Sequence, residues 1–422
     1  MAYVALDTAW EIYLTYRQIR VYKTTPKPPD AIKNVFKSDT FEKSRLYSID
    51  RAKFSIFEML FGTCLEIASL LRHGLYSSWK TATKIAVSIG FKTDNLFPIT
   101  ISFIVIDSIV STIINLPLAI YYIFVIEEKH GFNNQTFGFF VKDGLKIILL
   151  QLIIFVPILT TIMYILHYGG EHAHIWLWGF TFVIMILMAF IFPKFIDPEF
   201  NKFTPLPDGP LRTSIEQLAS SVNFPLSQVL IVDGSTRSGH ENAYFTGTFG
   251  AKRIILYDTL LNEVDGRLPY ENDEILAILC HELGHWKHSH IYSMMVLSQL
   301  AGLLTFVIFN SMIDYSPLYQ AFGFPEGLEP PIIGSIIIQQ YVMAPYQRVI
   351  DFFFTWYTRY NEFEADAFAV KMKLGNQLKL ALLKISQNNL TFPVDDWLFT
   401  MFNNDHPTLL ERIEYIDKIK SD

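Results

Sequence analysis

Asp273-Glu274-Ile275-Leu276-Ala277-Ile278-Leu279-Cys280-His281-Glu282-Leu283-Gly284-His285-Trp286-Lys287-His288-Ser289-His290 is the stretch from which the rest of the chain is read. Ile275, Leu276, Ile278 and Leu279 stand among strong helix formers, which predicts a helix with His281 and His285 four apart on one face. Both imidazoles then point at one spot. Two neutral nitrogens at that spacing can fill two tetrahedral positions of a zinc ion, and Glu282 is placed to act as general base on an activated water. The competing reading is an ordinary helix with exposed histidines. An unpaired charge inside an otherwise apolar helix is expensive, so Glu282 argues against it. Cys280 precedes His281 but points about 100° away from it and is read as core.

The surrounding composition is that of a polytopic membrane protein. Of 422 residues, 51% are hydrophobic and 15% aromatic, and the mean hydropathy is positive, too apolar for an ordinary soluble enzyme of this size. A net charge of −7, with no basic stripe, argues against nucleic acid as a partner and leaves membrane lipid as the expected surroundings. The two cysteines, Cys64 and Cys280, sit in apolar helical contexts, so no disulfide framework is expected. Residues 1–16 contain Asp7 and Glu11 and are followed by no small-residue cleavage site, unlike a signal peptide.

Seven apolar stretches are candidate spans: 4–16, short and carrying two acids; 54–71, with Glu58 and Glu66; 97–126, with Asp107 inside and Pro117 as a kink; 145–166; 175–191; 291–313; and 332–357. The connections at 167–174 and 314–331 have no Lys or Arg, whereas Lys142, Lys146, Lys194, Lys202 and Arg212 flank the opposite ends, which puts both flanks of the His281 helix on the cytosolic side. Counting back makes the N-terminus and a 72–96 loop lumenal, although Arg72, Lys80, Lys84 and Lys92 in that loop break the rule. The expected organisation is a membrane region over 1–196, an α+β segment over 197–290, two further spans over 291–357 and a C-terminal segment over 358–422.

Within the α+β segment, Leu211–Val222 reads as a helix and Gln228–Val232 as a strand, while Asn242–Phe249 and Arg253–Leu261 read as a hairpin. A strand at a sheet edge can bind peptide backbone, so Asn242 and Ala243 are candidate substrate contacts, a purely structural hairpin being an equal alternative. Linkers are expected at 263–272 and 314–331.

A catalytic zinc needs a third protein ligand and one open position. Residues 360–369 offer Glu362, Glu364 and Asp366 on a predicted helix, where Glu362 and Asp366 share a face flanked by Ala365, Phe368 and Ala369. Glu362 is the expected ligand and Asp366 the carboxylate that orients a ligand imidazole. The alternative is a solvated acidic helix with Glu362 paired to Arg359. Further on, His406 could donate to an oxyanion, with Arg412 holding it or a neighbouring carboxylate. His288 and His290 are expected at the interface rather than on a metal. The loop Val125–Asn133, with His130, shows no chemistry of its own.

Taken together, these residues resemble the type I CAAX prenyl proteases, integral-membrane zinc endopeptidases of the endoplasmic reticulum and nuclear envelope. The likeness is carried by Phe41-Glu42-Lys43-Ser44-Arg45-Leu46-Tyr47, the 125–133 loop, Phe203-Thr204-Pro205-Leu206-Pro207, Asn242-Ala243-Tyr244-Phe245, His281–Trp286, Glu362–Ala369, and His406-Pro407 with Arg412. It implies a mainly α membrane protein with about seven transmembrane helices enclosing a chamber, and a small α+β zincin-like insert. It also implies one zinc per chain held by His281, His285 and Glu362, Glu282 as base, Asn242 and Ala243 on the peptide backbone, and His406 and Arg412 as transition-state or substrate-positioning groups. The implied substrates are prenylated CaaX proteins, which lose the aaX tripeptide, with a second upstream cut in some members on farnesylated precursors such as prelamin A. The implied location is the endoplasmic reticulum membrane and inner nuclear membrane. Two features depart from the family: a shorter first span, and a compact 263–272 linker where relatives often carry a long charged insertion. Lys418 and Lys420 would suit dilysine retrieval if Asp422 is the true terminus.

Two other functions compete: a general membrane quality-control metalloprotease that accepts unprenylated chains, and a non-catalytic membrane scaffold with structural zinc. A structural site would close its fourth position with protein and has no need of Glu282.

Overall fold

The computed structural model describes residues 1–247, 250–263 and 268–421. The N-terminal half is helical: α1 (Ala2–Thr24), α2 (Ser38–Leu71), α3 (Gly74–Ser88), α4 (Leu96–Tyr121, running on through a π turn to Glu127), α5 (Phe137–Tyr168), α6 (Ala173–Ile191) and the short α7 (Asp197–Phe200). A four-stranded mixed sheet follows, built from β1 (Phe203–Pro205), β2 (Leu226–Val232), β3 (Ala243–Thr246) and β4 (Lys252–Tyr257), with α8 (Pro210–Ser221) between β1 and β2 in the chain. Helices close the chain: α9 (Asn272–Lys287), α10 (His290–Met312), α11 (Ser316–Gln320), α12 (Pro331–Ile337), α13 (Ala344–Lys371), α14 (Gly375–Asn388), α15 (Trp397–Asn403) and α16 (Leu409–Ser421).

Among the described residues, five helical stretches are long and apolar enough to cross a membrane: Ser38–Leu71, Leu96–Glu127, Phe137–Tyr168, Gly170–Phe200 and His290–Met312. Their outward residues, Ile113, Leu149, Ile153, Trp176 and Leu300 among them, are exposed in the protein alone and require lipid around them. This is a multi-pass membrane protein. The two remaining candidate spans are helical but do not reach that length and apolarity. Residues 331–371 form α12, a π turn over Ile338–Val342 and α13, of which only the first part is apolar. In α1, Asp7 and Glu11 are both bonded to Arg348 of α13, at 3.0 and 2.5 Å. Arg17 of the same helix forks onto Asp396 ahead of α15, so α1 is held by ion pairs to the C-terminal helices.

The expected lumenal loop at 72–96 is largely the helix α3. Trp79, Ala82 and Ala86 recur along one of its faces and are buried against Ile99 and Phe103 of α4. Between α4, α5, α10 and the α12 region lies a cavity of ≈ 600 Å³. Asp107, Ser111, Gln151 and Gln339 line it together with Phe103 and Phe306, which gives the membrane region a partly polar interior.

The sheet runs β1-β2-β4-β3, with β2 and β4 parallel and the outer pairs antiparallel. The expected hairpin is present as β3 against β4, Ala243 opposite Leu256 and Thr246 opposite Arg253; Thr248 and Phe249 of the expected first strand lie outside the described residues. Ile254 and Leu256 pack onto Ile275, Leu279 and Leu283 of α9, and α14 and α16 cover the far side of that helix through Leu378, Ala381 and Ile416. Of the expected 263–272 linker, residues 264–267 lie outside the described residues, while Glu271 closes the start of α9 in a reciprocal cap with Glu274. Lys418 and Lys420 fall in α16, and Asp422 is outside the described residues.

The 125–133 loop has a positional role. Glu127 accepts a hydrogen bond from the Tyr47 hydroxyl at 2.6 Å and contacts His240 at 3.3 Å, and Phe132 stacks on His240 with centroids 4.0 Å apart. Asn133 bridges to Ser238. The chain entering β3 is thereby clamped to α2 and the end of α4. Next to it, buried Glu241 accepts from Tyr270 and from Asn388, and burial pushes its carboxyl up to about 7 against those two bonds. The sign follows from linkage. Unfolded Glu241 ionises near 4.5, so the folded chain holds a proton that the unfolded chain has lost, and stability falls as pH rises from about 4.5 to about 7. Glu241→Gln should flatten that fall, which reaches at most ~3 kcal/mol. Thermal midpoints of both proteins in detergent at pH 5 and pH 8 check this, and equal pH differences would contradict it.

Candidate metal centre

The site is assembled where α9 meets α13. At Gly284 a Cβ would stand 3.0 Å from the Cα of Ala365 and 3.1 Å from the Cβ of Phe368, so the two helices cross in near backbone contact there. His281 and His285 flank this crossing on α9, and Glu362 and Asp366 flank it on α13. All four side chains therefore meet over a short distance.

His281 Nε2 and His285 Nε2 are 3.2 Å apart. Glu362 Oε2 lies 3.4 Å from the first, and Glu362 Oε1 lies 3.2 Å from the second. Ligands at ordinary zinc–nitrogen and zinc–oxygen distances in a tetrahedron stand about 3.3 Å from one another, so this triangle is the size a zinc ion requires. Glu362 is 3% exposed, and its Oε2 has no hydrogen-bond partner. A buried carboxylate oxygen facing imidazole nitrogens in this way is satisfied by a cation. One atom from each of the three residues can serve a metal ion.

The protons on the other ring nitrogens fit the same reading. His281 Nδ1 is 2.9 Å from Asp366 Oδ1, so Nδ1–H donates to the carboxylate and the Nε2 lone pair faces the centre. Asp366, fully buried, is held by the Arg412 guanidinium through Nε at 2.9 Å and Nη2 at 2.6 Å. Arg412 also comes within 3.5 Å of Glu362 and 3.2 Å of His281. Burial alone would raise the Asp366 and Glu362 carboxyls; Arg412 and the imidazoles outweigh it and hold both below the usual carboxylate range. Arg412 thus holds the neighbouring carboxylate, one of the two tasks the sequence allowed it.

Glu282 leaves the triangle and faces a cavity of ≈ 480 Å³ bounded by His285, Phe245 of β3, Met185 of α6, Met294 of α10 and Asn361. Burial raises its carboxyl above the ordinary value, against the pull of His281 and His285. A carboxyl shifted toward neutrality beside a solvent-reached cavity is suited to taking and returning a proton. Because β3 is the last strand of the sheet and Phe245 shares this cavity, a sheet edge runs beside the acid. Asn242 is exposed just ahead of β3 and turns its side-chain oxygen onto the Ala243 N–H at 2.8 Å, and Ala243 is buried. Across the site, His406 Nε2 is 3.4 Å from Glu362 Oε1, and its Nδ1 is 2.8 Å from Asp405. The Asp405 hydrogen bond holds the His406 imidazole above its ordinary value. Arg359 is not the partner of Glu362; it forks onto Glu411 and reaches the His406 carbonyl.

One residue differs from the reading of the sequence, and a second, Glu364, takes up a contact the sequence did not assign. His290, expected at the interface, is 5% exposed and lies 2.9 Å from His285, Nδ1 to Nδ1. Glu364, turned away from Glu362 on α13, meets His290 Nε2 at 3.2 Å. Ser289 adopts a left-handed backbone, φ 60°, which breaks α9 from α10 and turns His290 back onto the preceding helix. Helical spacing carries no signal of such a reversal.

Fold and site together define a membrane-embedded metallopeptidase of the His-Glu-x-x-His type, with the third residue of its metal group, an acid, on a later helix. Residues 18–202 match the family model for the CAAX prenyl protease N-terminal region, five membrane helices, and residues 205–420 match that of peptidase family M48. The mouse CAAX prenyl protease 1 homolog is 39% identical over 98% of this chain and 93% of its own length, and the human homolog is 39% identical over 97% and 93%. The crystal structure of S. mikatae Ste24p superposes with a TM-score of 0.91 at 35% identity, covering 99% of this chain and 97% of that one. The chain belongs to the M48 family of metallopeptidases, in the branch that carries the CAAX prenyl protease N-terminal region.

Proposed function

We propose that this chain is a zinc endopeptidase that removes the aaX tripeptide from prenylated CaaX proteins. The observation that carries the reading is the buried triangle of His281, His285 and Glu362 with Glu282 beside it, opening on a cavity walled by a sheet edge and apolar membrane helices. Relatives that match nearly end to end carry the CAAX prenyl protease name. Zinc bound to this set would polarise the scissile carbonyl and acidify water so that it attacks as its proton is taken by a base.

The chain's own groups do the rest. The outer edge of β3, entered from Asn242 and Ala243, lays the peptide beside Glu282. Glu282 takes the proton of the attacking water and returns it to the leaving amine. His406 donates to the oxyanion, and Asp366 with Arg412 keeps His281 in the ligating tautomer. The prenyl chain offers no charge to recognise, so apolar surface on the spans is its docking place. On this reading the four segments 1–196, 197–290, 291–357 and 358–422 are the membrane region, the peptidase segment, the second membrane region and the C-terminal closure. The protein then resides in the endoplasmic reticulum and inner nuclear membranes with the site on the cytosolic side.

Purified protein in detergent, given a farnesylated CaaX peptide, should release aaX, lose turnover on treatment with 1,10-phenanthroline and regain it on adding zinc. The unprenylated peptide should turn over at least about tenfold more slowly, given the apolar area it leaves unburied. Equal turnover of both peptides would favour a general quality-control protease. Absence of turnover with zinc bound would favour a scaffold.

A further inference from the structure

We propose that His290 and Glu364 position the second ligand imidazole, His285, through a relayed hydrogen bond, as Asp366 positions the first directly. The inference rests on the zinc reading above. The Nδ1 atoms of His285 and His290 stand 2.9 Å apart, so one proton must lie between them. Two assignments exist. If His290 supplied that proton, its Nε2 would turn a lone pair on the Glu364 carboxylate at 3.2 Å, and His285 would carry its own proton on Nε2, against Glu362 and His281. If His285 supplies it, His290 accepts at Nδ1 and donates from Nε2 to Glu364, and the His285 Nε2 lone pair faces the centre. Both contacts of the relay are then a donor meeting an acceptor, and the lone pairs that face one another across the centre are left for the cation.

The surroundings keep this relay in place. His290 is buried at the first turn of α10, with the rings of His285 and His290 5.0 Å apart at 75°. Glu364 stands one turn after Tyr360 on α13, partly exposed, and its carboxylate is the group that faces His290 Nε2. Glu362, Glu364 and Asp366 thereby have one task each: the first approaches the metal position, and the other two set the tautomers of His285 and His281.

The test is the zinc dissociation constant in detergent, measured by competition with a chromogenic chelator, for native protein, His290→Leu, His290→Gln and Glu364→Leu. Loss of an orienting partner weakens zinc about 10- to 100-fold. His290→Leu and Glu364→Leu should show that loss. His290→Gln, whose amide can accept from His285 and donate to Glu364, should recover most of it, which a packing role would not predict. Glu364→Leu sits at a partly exposed position and keeps the test open should His290→Leu fold poorly. Native zinc affinity in both leucine variants, with only the thermal midpoint lowered, would overturn the relay. A native chain that binds no zinc would overturn the site reading itself and this inference with it.

Discussion

Glu282→Gln should lower turnover of the farnesylated peptide by about 10²- to 10⁴-fold, the usual contribution of a general base, while zinc stays bound. Both halves of this result follow from geometry. Glu282 is absent from the triangle formed by His281, His285 and Glu362, so removing its charge leaves the ligand set intact. It faces the cavity shared with Phe245 of the edge strand, where a peptide carbonyl would lie. The amide is isosteric and neutral, which keeps the packing and removes the acid–base capacity. The fall should appear in kcat, since the group acts on the transition state more than on binding. Unchanged turnover would remove Glu282 from the mechanism; loss of zinc would make it part of the metal site.

Arg412→Leu should be as damaging to the centre as loss of a ligand, although Arg412 is not one. Its guanidinium bridges Asp366, Glu362 and His281 from a position only 8% exposed. Removing it strands two carboxylates in a closed space, a change that costs about 3–5 kcal/mol for a buried pair broken on one side. It also frees Asp366 from the orientation that sets the His281 tautomer, so zinc should bind far more weakly. Lysine would not rescue, because a point charge cannot hold Asp366 through two nitrogens at once. The double variant Arg412→Leu/Asp366→Leu separates the two effects: stability should return in part, since no charge is stranded between them, while zinc affinity should not. Thermal midpoints and zinc titrations of the three proteins decide it. A single variant with native stability and native zinc affinity would refute this account of Arg412.

What could be read from the residues is what local spacing encodes. The pair His281 and His285, four apart on a helix, follows from periodicity alone, and Glu362 and Asp366 follow from sharing a face with Ala365 and Ala369. Their meeting could not be read, because it depends on Gly284 letting α9 and α13 touch. The place of His290 is hidden for a related reason: a single left-handed residue, Ser289, reverses its direction. The N-terminal region was obscured by long-range pairing. Asp7 and Glu11 weaken α1 as a span, and α1 is not among the helices apolar enough to cross; what local spacing does not show is that each acid is bonded to Arg348, more than three hundred residues later. The basic residues around α3 drew attention from Trp79, Ala82 and Ala86, whose spacing does mark a buried helix face. β1 carries no signal in the sequence, because three residues ending in proline show no alternation; its pairing with β2 alone defines it.

The order of the metal-site residues along the chain has a consequence for biogenesis. His281 and His285 leave the ribosome on α9, but α10 and α12 must follow before Glu362 emerges on α13, and Arg412 comes last of all on α16. A nascent chain therefore passes through insertion of its apolar helices with only two imidazoles of the set, and any metal held at that stage would be bound weakly. On the proposed ligand set, the centre is complete only once α13 and α16 pack onto α9, both of which follow the apolar helices along the chain.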